Sequence, residues 1–459
     1  MGCTSDLVSF IYETGYEEIP REVVDRVKLH VLDCIGVTLA AIDKPITKMI
    51  ADLARQEAGK PQSTVIGLGL KVPCATAAWA NGTIGHSLDF DDNSIALPTA
   101  IHQTVTTLPA ALSVSELVDA HGRKLLEAII LGIEAESKVD RAMGGHRDAW
   151  HGTGTFGSIG SAVAAAKLLE LNKEQLEYAI GIACSTAAGL VANFGTMTKP
   201  LHAGQASRNG VVAALLAKNG FTSARGILES KEGFADVTGN KLERSYLKEH
   251  LGNPWEVLDP GIHIKMYPSC MATHAGLDAI IRLAKSYQID PSNVEYIEVR
   301  SGRDVRKALL YDRPKTGLEG KFSMQFCIAI GLLKRRATLE EFSDETVRDP
   351  VVTSLTKKVK LVVDENLAKK GPLATIVKVK MKDGRSLQES VDSPKGSKNN
   401  PVSAEEVAQK FRDCASHALK EKAGNVIDMV LKLETVDKIS TLTKLLVTVN
   451  PRNEHFPHT

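Results

Sequence analysis

The stretch GHSLDFDDN, residues 85–93, holds an imidazole and three carboxylates (His86, Asp89, Asp91 and Asp92) directly after a run of small residues. On a helix His86 and Asp89 would share a face, because residues three apart are neighbours there. Groups of these types can hold a divalent metal, exchange protons or cap a helix end. A helical HxxD pair supplies only two ligands and no fixed geometry. Residue types alone therefore favour a polar helix end and leave a catalytic role open.

A glycine-rich stretch, WHGTGTFGSIGSAVAAAK at residues 150–167, carries His151, Thr153 and Thr155 into a helix of small residues. Backbone N–H groups at a helix start attract an anion, and the hydroxyl groups add further donors. The stretch is not a P-loop, since no GK[ST] follows. Two interpretations stay open: an anion-binding helix start, or a glycine-rich loop that lets helices pack tightly.

Lys199 lies in FGTMTKPLHAGQASRNG, residues 194–210, directly before Pro200, which can begin a helix. A lysine at a helix N-terminus makes a good carboxylate clamp, because the helix dipole also favours negative charge there. A basic cluster on a helix is usually only a solvated face, but the residues flanking Lys199 are apolar. The clamp and the solvated face remain equal alternatives.

A fourth stretch, IHIKMYPSCMATH at residues 262–274, brings together Lys265, Tyr267, Cys270 and His274. It lies where the chain changes from helical to strand-like patterning, and a junction between domains is a preferred place for ligand sites. Cys270 and His274 have the residue types of a thiol nucleophile and its base. No third orienting group accompanies them, so a buried, unreactive thiol is the simpler interpretation.

The elements that must position these groups fall into three parts. Residues 20–270 carry apolar residues at helical spacing, on faces rich in Ala, Gly and Ser, which predicts closely packed helices. After residue 290, the segments VEYIEVRSG, VKLVVDE and ATIVKVKMKDGRSLQESV alternate apolar and polar residues, which predicts strands, with Asp383-Gly384 at a hairpin turn. SPKGSKNNPVS is a connector, and SAEEVAQKFRDCASHAL returns to helical periodicity.

We therefore predict a mainly α protein, with a large all-helical domain and an inserted, smaller α+β lid domain. The predicted boundaries are residues 1–268 for the first part of the helical domain, 269–399 for the α+β domain, and 400–459 for the C-terminal return to the helical domain. A parallel, doubly wound sheet is not expected, because the strand-like segments are confined to one region.

Composition excludes several classes of protein. The chain has 459 residues, 24% of them charged, and a formal net charge of +1, which argues against a nucleic-acid-binding surface. No apolar run reaches the roughly 18 residues that a membrane span needs, and no secretory signal is visible. The seven cysteines are scattered and form no CxxC pair, which predicts free thiols in a reducing, cytoplasmic compartment.

Taken together, NGTIGHSLDFDDN, WHGTGTFGSIGSA, FGTMTKPLHAGQASRNG, KMYPSCMATH and KFSMQF resemble the MmgE/PrpD family over roughly residues 5–440. That family includes 2-methylcitrate dehydratases, cis-aconitate decarboxylases and an iminodisuccinate epimerase. The resemblance implies an enzyme without metal or other cofactor that acts on a small carboxylate substrate. It also implies a homodimer with the active site between the helical domain and the lid.

The resemblance also assigns site residues. It implies catalytic roles for Asp89, His102, His151, Lys199 and Lys265. It implies substrate contacts for both lysines and for a further set of residues: Asn93, Thr153, Cys270 and His274. The resemblance thus implies that the GHSLDFDDN cluster is catalytic rather than metal-binding. Asp91 and Asp92 would then be structural residues or would lie just behind the residues that contact the substrate.

Three departures from the family pattern leave the individual reaction open. Asn93 stands where the decarboxylases have Thr, and His102-Gln103-Thr104 replaces the His-Pro-Ser of many members. Cys270 stands where the decarboxylases carry a catalytic histidine, and PSCMATH is more similar to the epimerase branch. The family's reactions share a C–H bond made or broken beside a carboxylate, for which lysines would stabilise charge and histidines would move the proton. We therefore expect a lyase of the 2-methylcitrate dehydratase type, with an epimerase, a decarboxylase and a non-catalytic polycarboxylate-binding protein as alternatives.

Overall fold

The computed structural model describes residues 2–57, 59–96, 99–145, 149–238 and 241–448. Helices dominate the described part of the chain, as the sequence predicts. The helices before residue 268 are α1 (Cys3–Glu13), α2 (Arg21–Ala40), α3 (Pro45–Gln56), α4 (Cys74–His86), α5 (Gln103–Val118), α6 (Gly122–Ala142), α7 (Gly152–Leu168), α8 (Lys173–Thr186), α9 (Thr198–Lys218), α10 (Phe234–Thr238) and α11 (Arg244–His250). None of the helices in the described ranges is both long and apolar enough to cross a membrane.

The remaining helices follow in two groups. The first group is α12 (His274–Ser286), α13 (Arg303–Ala308), α14 (Gly317–Gly320), α15 (Met324–Lys334), α16 (Asp344–Arg348), α17 (Pro350–Lys358) and α18 (Glu365–Ala368). The second group is α19 (Ala404–Leu419), α20 (Ala423–Leu431) and α21 (Ile439–Leu445). α19 begins after Ser403, whose hydroxyl accepts the N–H of Glu406, so the predicted return to helix after the connector is confirmed.

Strands form three sheets in the described residues. Their bounds are β1 (Ser63–Val65), β2 (Leu70–Val72), β3 (Ser94–Ala96), β4 (Thr99–Ile101), β5 (Val294–Ser301), β6 (Val359–Val363), β7 (Thr375–Met381) and β8 (Ser386–Val391). β1 with β2 and β3 with β4 make small antiparallel pairs, and the other four strands form one sheet in the order β6-β5-β7-β8. β5 pairs with β6 in parallel and with β7 antiparallel. The alternating segments after residue 290 are thus strands, and Gly384 has a φ of 90° in the hairpin turn between β7 and β8.

Small residues let the central helices approach closely. α4, α5 and α7 are buried on nearly every face, and α9 packs against α4 and α7. A Cβ atom on Gly82 would lie 2.9 Å from Cα of Gly204, and one on Gly210 would lie 2.4 Å from the backbone N of Ala162. Only glycine fits at such helix contacts, so the Gly-rich faces in the sequence are used for packing.

Two large hydrophobic cores divide the chain. One joins residues from 3–264 with residues from 402–446, so the C-terminal helices pack on the helical body. The other contains residues from 271–391 and lies between α12, α15, α17 and the four-stranded sheet. The candidate site residues lie where the surfaces of these two cores meet.

Candidate active site

A cavity of about 440 Å³ lies between the helical body and the segment that carries the four-stranded sheet. Most of its polar lining comes from seven of the residues that the sequence singles out: Asp89, Asn93, His102, His151, Lys199, Lys265 and Cys270. Its apolar lining includes Trp150, Val191, Phe194, Val305, Phe322 and Leu373. A larger cavity of about 810 Å³ is lined by Phe90 and Lys410, but none of those seven polar residues lines it.

Two predicted substrate contacts do not line this cavity. Thr153 lies behind its wall, where its hydroxyl accepts the backbone N–H of His102 at 3.1 Å. His274 is fully buried at the start of α12, with Nε2 3.2 Å from the carbonyl oxygen of Ser269. Both residues therefore hold the wall in place, because the Thr153 hydroxyl and Nε2 of His274 are each directed to a backbone group.

Three helix starts converge on the cavity. His102 is the residue before α5, His151 is the residue before α7, and Lys199 lies in the first turn of α9. The unpaired N–H groups and the dipole of a helix start favour an anion. The glycine-rich and proline-marked stretches of the sequence thus supply two of the three helix starts at the cavity, and α5 supplies the third.

The carboxylate of Asp89 accepts hydrogen bonds from two buried lysines. Its Oδ1 accepts hydrogen bonds from Nζ of Lys199 at 2.7 Å and of Lys265 at 3.1 Å. Burial alone would raise the pKa of Asp89, but the two ammonium groups outweigh it and hold this pKa well below its ordinary value. The carboxylate therefore stays ionised, and it aligns both lysines at the cavity wall.

Two neighbouring aromatic rings lie next to the ammonium group of Lys199. Its Nζ lies 5.3 Å from the ring centroids of Phe194 and of Phe322. An ammonium group over an aromatic face is attracted by the ring quadrupole. Phe194 comes from the helical body and Phe322 from the sheet-bearing segment, so both parts of the chain fix this cation.

Asp91 orients two histidines. Its carboxylate lies 2.8 Å from Nδ1 of His102 and 2.9 Å from Nδ1 of His86. An ionised carboxylate can only accept, so both Nδ1 atoms carry the proton and both Nε2 atoms are left as acceptors. Nε2 of His102 lies 4.0 Å from Oδ1 of Asp89, at the cavity. The arrangement leaves the Nε2 lone pair of His102 free to accept a proton at the cavity.

His151 is paired with a second histidine. Its Nδ1 lies 3.1 Å from Nδ1 of His202, and its ring contacts the edge of Phe194 at 4.8 Å between centroids. One of the two Nδ1 atoms must carry the proton that the other accepts. When His202 donates, His151 presents an Nε2–H donor, and it can then stabilise an oxyanion or protonate a leaving group.

Burial keeps the imidazoles of the site neutral. It lowers the pKa of His102 against the opposing effect of Asp91, with Lys265 and Lys199 lowering it further. It also lowers the pKa of His151 to well below the ordinary value, together with the charge of Lys199. Neutral imidazoles beside fixed ammonium groups are suited to accept a proton from a bound anion.

Ligand-type atoms of His86, Asp89, Asp91 and His102 lie within 4.8 Å of one another. The fold thus brings together a group that sequence spacing alone does not form. Asp91 already accepts from both imidazoles, however, and Asp89 holds two ammonium groups. These two positive charges oppose a further cation. The donor set therefore fits proton transfer better than metal binding, and the absence of a metal stays a prediction.

The sequence analysis did not predict several of the residues that line the cavity. Phe322 lies in KFSMQF, which served only to recognise the family, and Trp150 adjoins a predicted histidine without being singled out itself. The part of the lining formed by Asp304, Val305 and Leu373 has no sequence signal, because it comes from loops and a short helix that only the fold brings to the cavity.

The fold and the site define an MmgE/PrpD protein. The chain matches the MmgE/PrpD N-terminal domain over residues 5–246 and the MmgE/PrpD C-terminal domain over residues 267–435. It belongs to the MmgE/PrpD family, as the sequence motifs indicated.

Among its relatives is a cis-aconitate decarboxylase of Aspergillus terreus, 29% identical, with 97% of this chain and 96% of the relative aligned. The cis-aconitate decarboxylase of Mus musculus is 28% identical over 96% of this chain and 93% of the relative. That of Homo sapiens is 27% identical over 98% of this chain and 95% of the relative. The similarity therefore extends over nearly the full length of these enzymes.

Proposed function

We propose that this protein is a cofactor-independent lyase that removes water from a small hydroxylated di- or tricarboxylate, in the manner of a 2-methylcitrate dehydratase. The observation that carries the proposal is the Lys199–Asp89–Lys265 cluster, which lines one cavity together with the neutral imidazoles of His102 and His151. Cations at a buried anion site stabilise the charge that develops when a proton leaves the carbon beside a carboxylate.

His102 is the base in this proposal. Its Nε2 takes the proton from the carbon next to the substrate carboxylate, and the electron pair of the broken C–H bond forms the C=C bond. The C–O bond on the adjacent carbon breaks, and its oxygen leaves as water after receiving a proton. The imidazolium formed on His102 is stabilised by Asp91 and can return that proton to the leaving oxygen, so the step is balanced without an outside acid.

The segment of residues 269–399 acts as a lid in this proposal. Cys270, Val305, Phe322 and Leu373 line one side of the cavity, opposite the helix starts of the helical body. Closing such an apolar wall over the substrate excludes water and strengthens the interactions of the two lysines. The lid would thereby couple substrate binding to formation of the complete site.

Decarboxylation of cis-aconitate is a second candidate, because relatives at 27–29% identity carry that name. It ranks below dehydration because Cys270 takes the place of a catalytic imidazole in the family's decarboxylases. Burial and the charge of Asp89 raise the pKa of the Cys270 thiol, so it stays protonated at neutral pH. His274 does not replace the imidazole, since burial lowers its pKa to about 3 and its Nε2 faces a backbone carbonyl.

The proposal is tested by incubating the protein with 2-methylcitrate, cis-aconitate and iminodisuccinate separately in D₂O containing a chelator, and following each by NMR. We expect loss of water from 2-methylcitrate, without any added metal. Formation of itaconate from cis-aconitate would identify the protein as a decarboxylase instead of a dehydratase. Inversion of a stereocentre without loss of water would identify it as an epimerase. Absence of turnover and of deuterium exchange with all three compounds would contradict the proposal, as would a requirement for a specific divalent ion.

We also expect the acid limb of the kcat/KM profile to lie below pH 6.5. Burial, Lys265 and Lys199 lower the pKa of His102, so its neutral, proton-accepting form persists to a lower pH than that of an exposed histidine. Asp91 opposes this shift, so Asp91→Asn should move the limb to still lower pH. A wild-type limb at or above pH 6.5 would contradict the role of His102 as the base.

A further inference from the structure

Three consecutive carbonyl groups around the catalytic aspartate each accept a hydrogen bond from a different buried lysine. Nζ of Lys321 lies 2.6 Å from the carbonyl oxygen of Leu88, Nζ of Lys265 lies 2.9 Å from that of Asp89, and Nζ of Lys410 lies 2.9 Å from that of Phe90. The exposed fractions of Lys265, Lys321 and Lys410 are 1%, 4% and 7%. We call these three residues the lysine cradle.

The backbone in the lysine cradle has an unusual conformation. Asp89 has a φ of 51°, in the left-handed region that residues other than glycine seldom adopt. Such a conformation persists only where the surrounding structure fixes it, and it is frequent at functional sites. The three ammonium groups supply that constraint at Asp89, because they hold the carbonyl before it, its own carbonyl and the one after it.

Burying three ammonium groups is unfavourable, which indicates a role beyond filling space. Burial lowers the pKa of Lys321 to about 7, even though the charge of Asp89 opposes the shift. Lys410 is compensated by Asp33, whose Oδ1 lies 2.6 Å from its Nζ, and by the ring of Phe90, whose centroid lies 3.8 Å away. A solvent-exposed helix end would satisfy its carbonyl groups with water at lower cost.

The cradle lysines come from distant parts of the chain. Lys410 lies on α19, whereas Lys321 lies between α14 and α15 in the sheet-bearing segment. Nζ of Lys321 also donates to the carbonyl of Pro268 at 2.7 Å, and its backbone carbonyl accepts the N–H of Cys270 at 2.9 Å. Lys321 thus connects the Asp89 turn with the Cys270 loop, and it precedes Phe322 in the cavity wall.

From this geometry we infer that Lys321 and Lys410 are positioning residues for the reaction, which fix the Asp89 turn so that its carboxylate aligns Lys199 and Lys265 toward the substrate. Lys321 acts from the lid side and Lys410 from the helical body. Neither lysine touches the substrate, because each ammonium group is already bonded to backbone carbonyls or to Asp33. This inference rests on the proposed function for its kinetic test.

The test compares Lys321→Met and Lys410→Met with Lys138→Met. Lys138 is a matched control, because its buried Nζ donates to the carbonyl of Pro254 at 2.8 Å and lies beside Glu134 and Glu256, and none of these three residues lines the cavity. We measure the melting temperature, kcat, KM and the calorimetric affinity for tricarballylate, an unreactive tricarboxylate. All three variants should lower the melting temperature, because each leaves a buried acceptor without its donor.

The two cradle variants should also lower kcat by roughly 10- to 100-fold, since a small misplacement of catalytic groups has large kinetic effects. Their tricarballylate affinity should fall about 5-fold or more, whereas the control should keep both values within about 2-fold of wild type. Because Lys410 lies on α19 of the helical body, its variant tests the inference even if Lys321→Met does not fold.

Cradle variants that lose thermal stability but keep wild-type kcat and tricarballylate affinity would overturn the inference. A wild-type protein that binds tricarballylate but turns over none of the candidate substrates would instead contradict the proposed function. In that case the tricarballylate affinities of the variants would still test the role of the lysine cradle. A wild-type protein that fails to bind tricarballylate would overturn both.

Discussion

His102→Gln is expected to lower kcat by roughly 10²- to 10⁴-fold while KM changes little, because it removes the general base without removing a cation. Glutamine is close in size to histidine and can still donate to Asp91, which lies 2.8 Å from Nδ1 of His102. Loss of activity would therefore report the missing proton acceptor rather than a collapsed wall. Steady-state kinetics on the confirmed substrate, beside the melting temperature, measure this effect.

His263→Gln is the matched control for this variant. His263 is also buried, and burial lowers its pKa to about 4, but its side chain does not line the cavity. The kcat of the His263→Gln variant should remain within about 3-fold of wild type. A His102→Gln protein with near-normal kcat and a lower melting temperature would show that His102 is a packing residue.

Lys199→Ala is expected to lower kcat/KM by roughly 10²-fold, because a charge-assisted hydrogen bond to a carboxylate contributes roughly 1.5–3 kcal/mol. KM should rise, since the cation binds the carboxylate in the ground state, and kcat should fall as well if charge grows on that carboxylate during proton removal. The exposed Lys307, which also lines the cavity, provides the comparison. Lys307→Ala should change kcat/KM by less than about 3-fold, because water screens its charge.

Lys199→Ala should also lower the melting temperature, which the sequence alone does not suggest. A lysine at a loop–helix junction looks dispensable for folding, but its Nζ forms a buried ion pair with Asp89 at 2.7 Å. Removing one partner of a buried pair is destabilising because the other charge is left with less compensation. Lys265 still donates a hydrogen bond to Oδ1 of Asp89, so the loss of stability is limited. Unchanged kinetics in Lys199→Ala would exclude its role as a substrate clamp.

Local patterns predicted the longer helices and the four strands of the main sheet, but the prediction that the first domain is all helical was wrong, because β1–β2 and β3–β4 are short strand pairs within it. Alternation in VEYIEVRSG and ATIVKVKMKDGRSLQESV predicted β5, β7 and β8, since a half-buried strand has a period of two. The parallel pairing of β5 with β6 could not be predicted, because it joins strands separated by several helices. The order of strands depends on packing between distant residues, which a single sequence does not display.

The site could be predicted as a set of residues but not as a geometry. Asp89 and Lys265 are 176 residues apart, and no periodicity indicates that they share a hydrogen bond. Thr153 and His274 lie behind the wall because each forms a hydrogen bond with a backbone group there. Those backbone groups are brought into place only by the tertiary fold. The orienting role of Asp91 likewise required knowing which of three neighbouring carboxylates faces the imidazoles.

The close glycine contacts of the helical body bear on how new substrate preferences can arise in this scaffold. A Cβ atom on Gly154, in the helix that follows His151, would lie 2.1 Å from the carbonyl oxygen of Ala188, so the helix on that side of the cavity tolerates no added side chain at this position. The opposite side, at Val305 and Leu373, belongs to short elements outside the glycine contacts. We therefore expect changes in substrate preference to arise more readily at Val305 and Leu373 than at the tightly packed helix contacts.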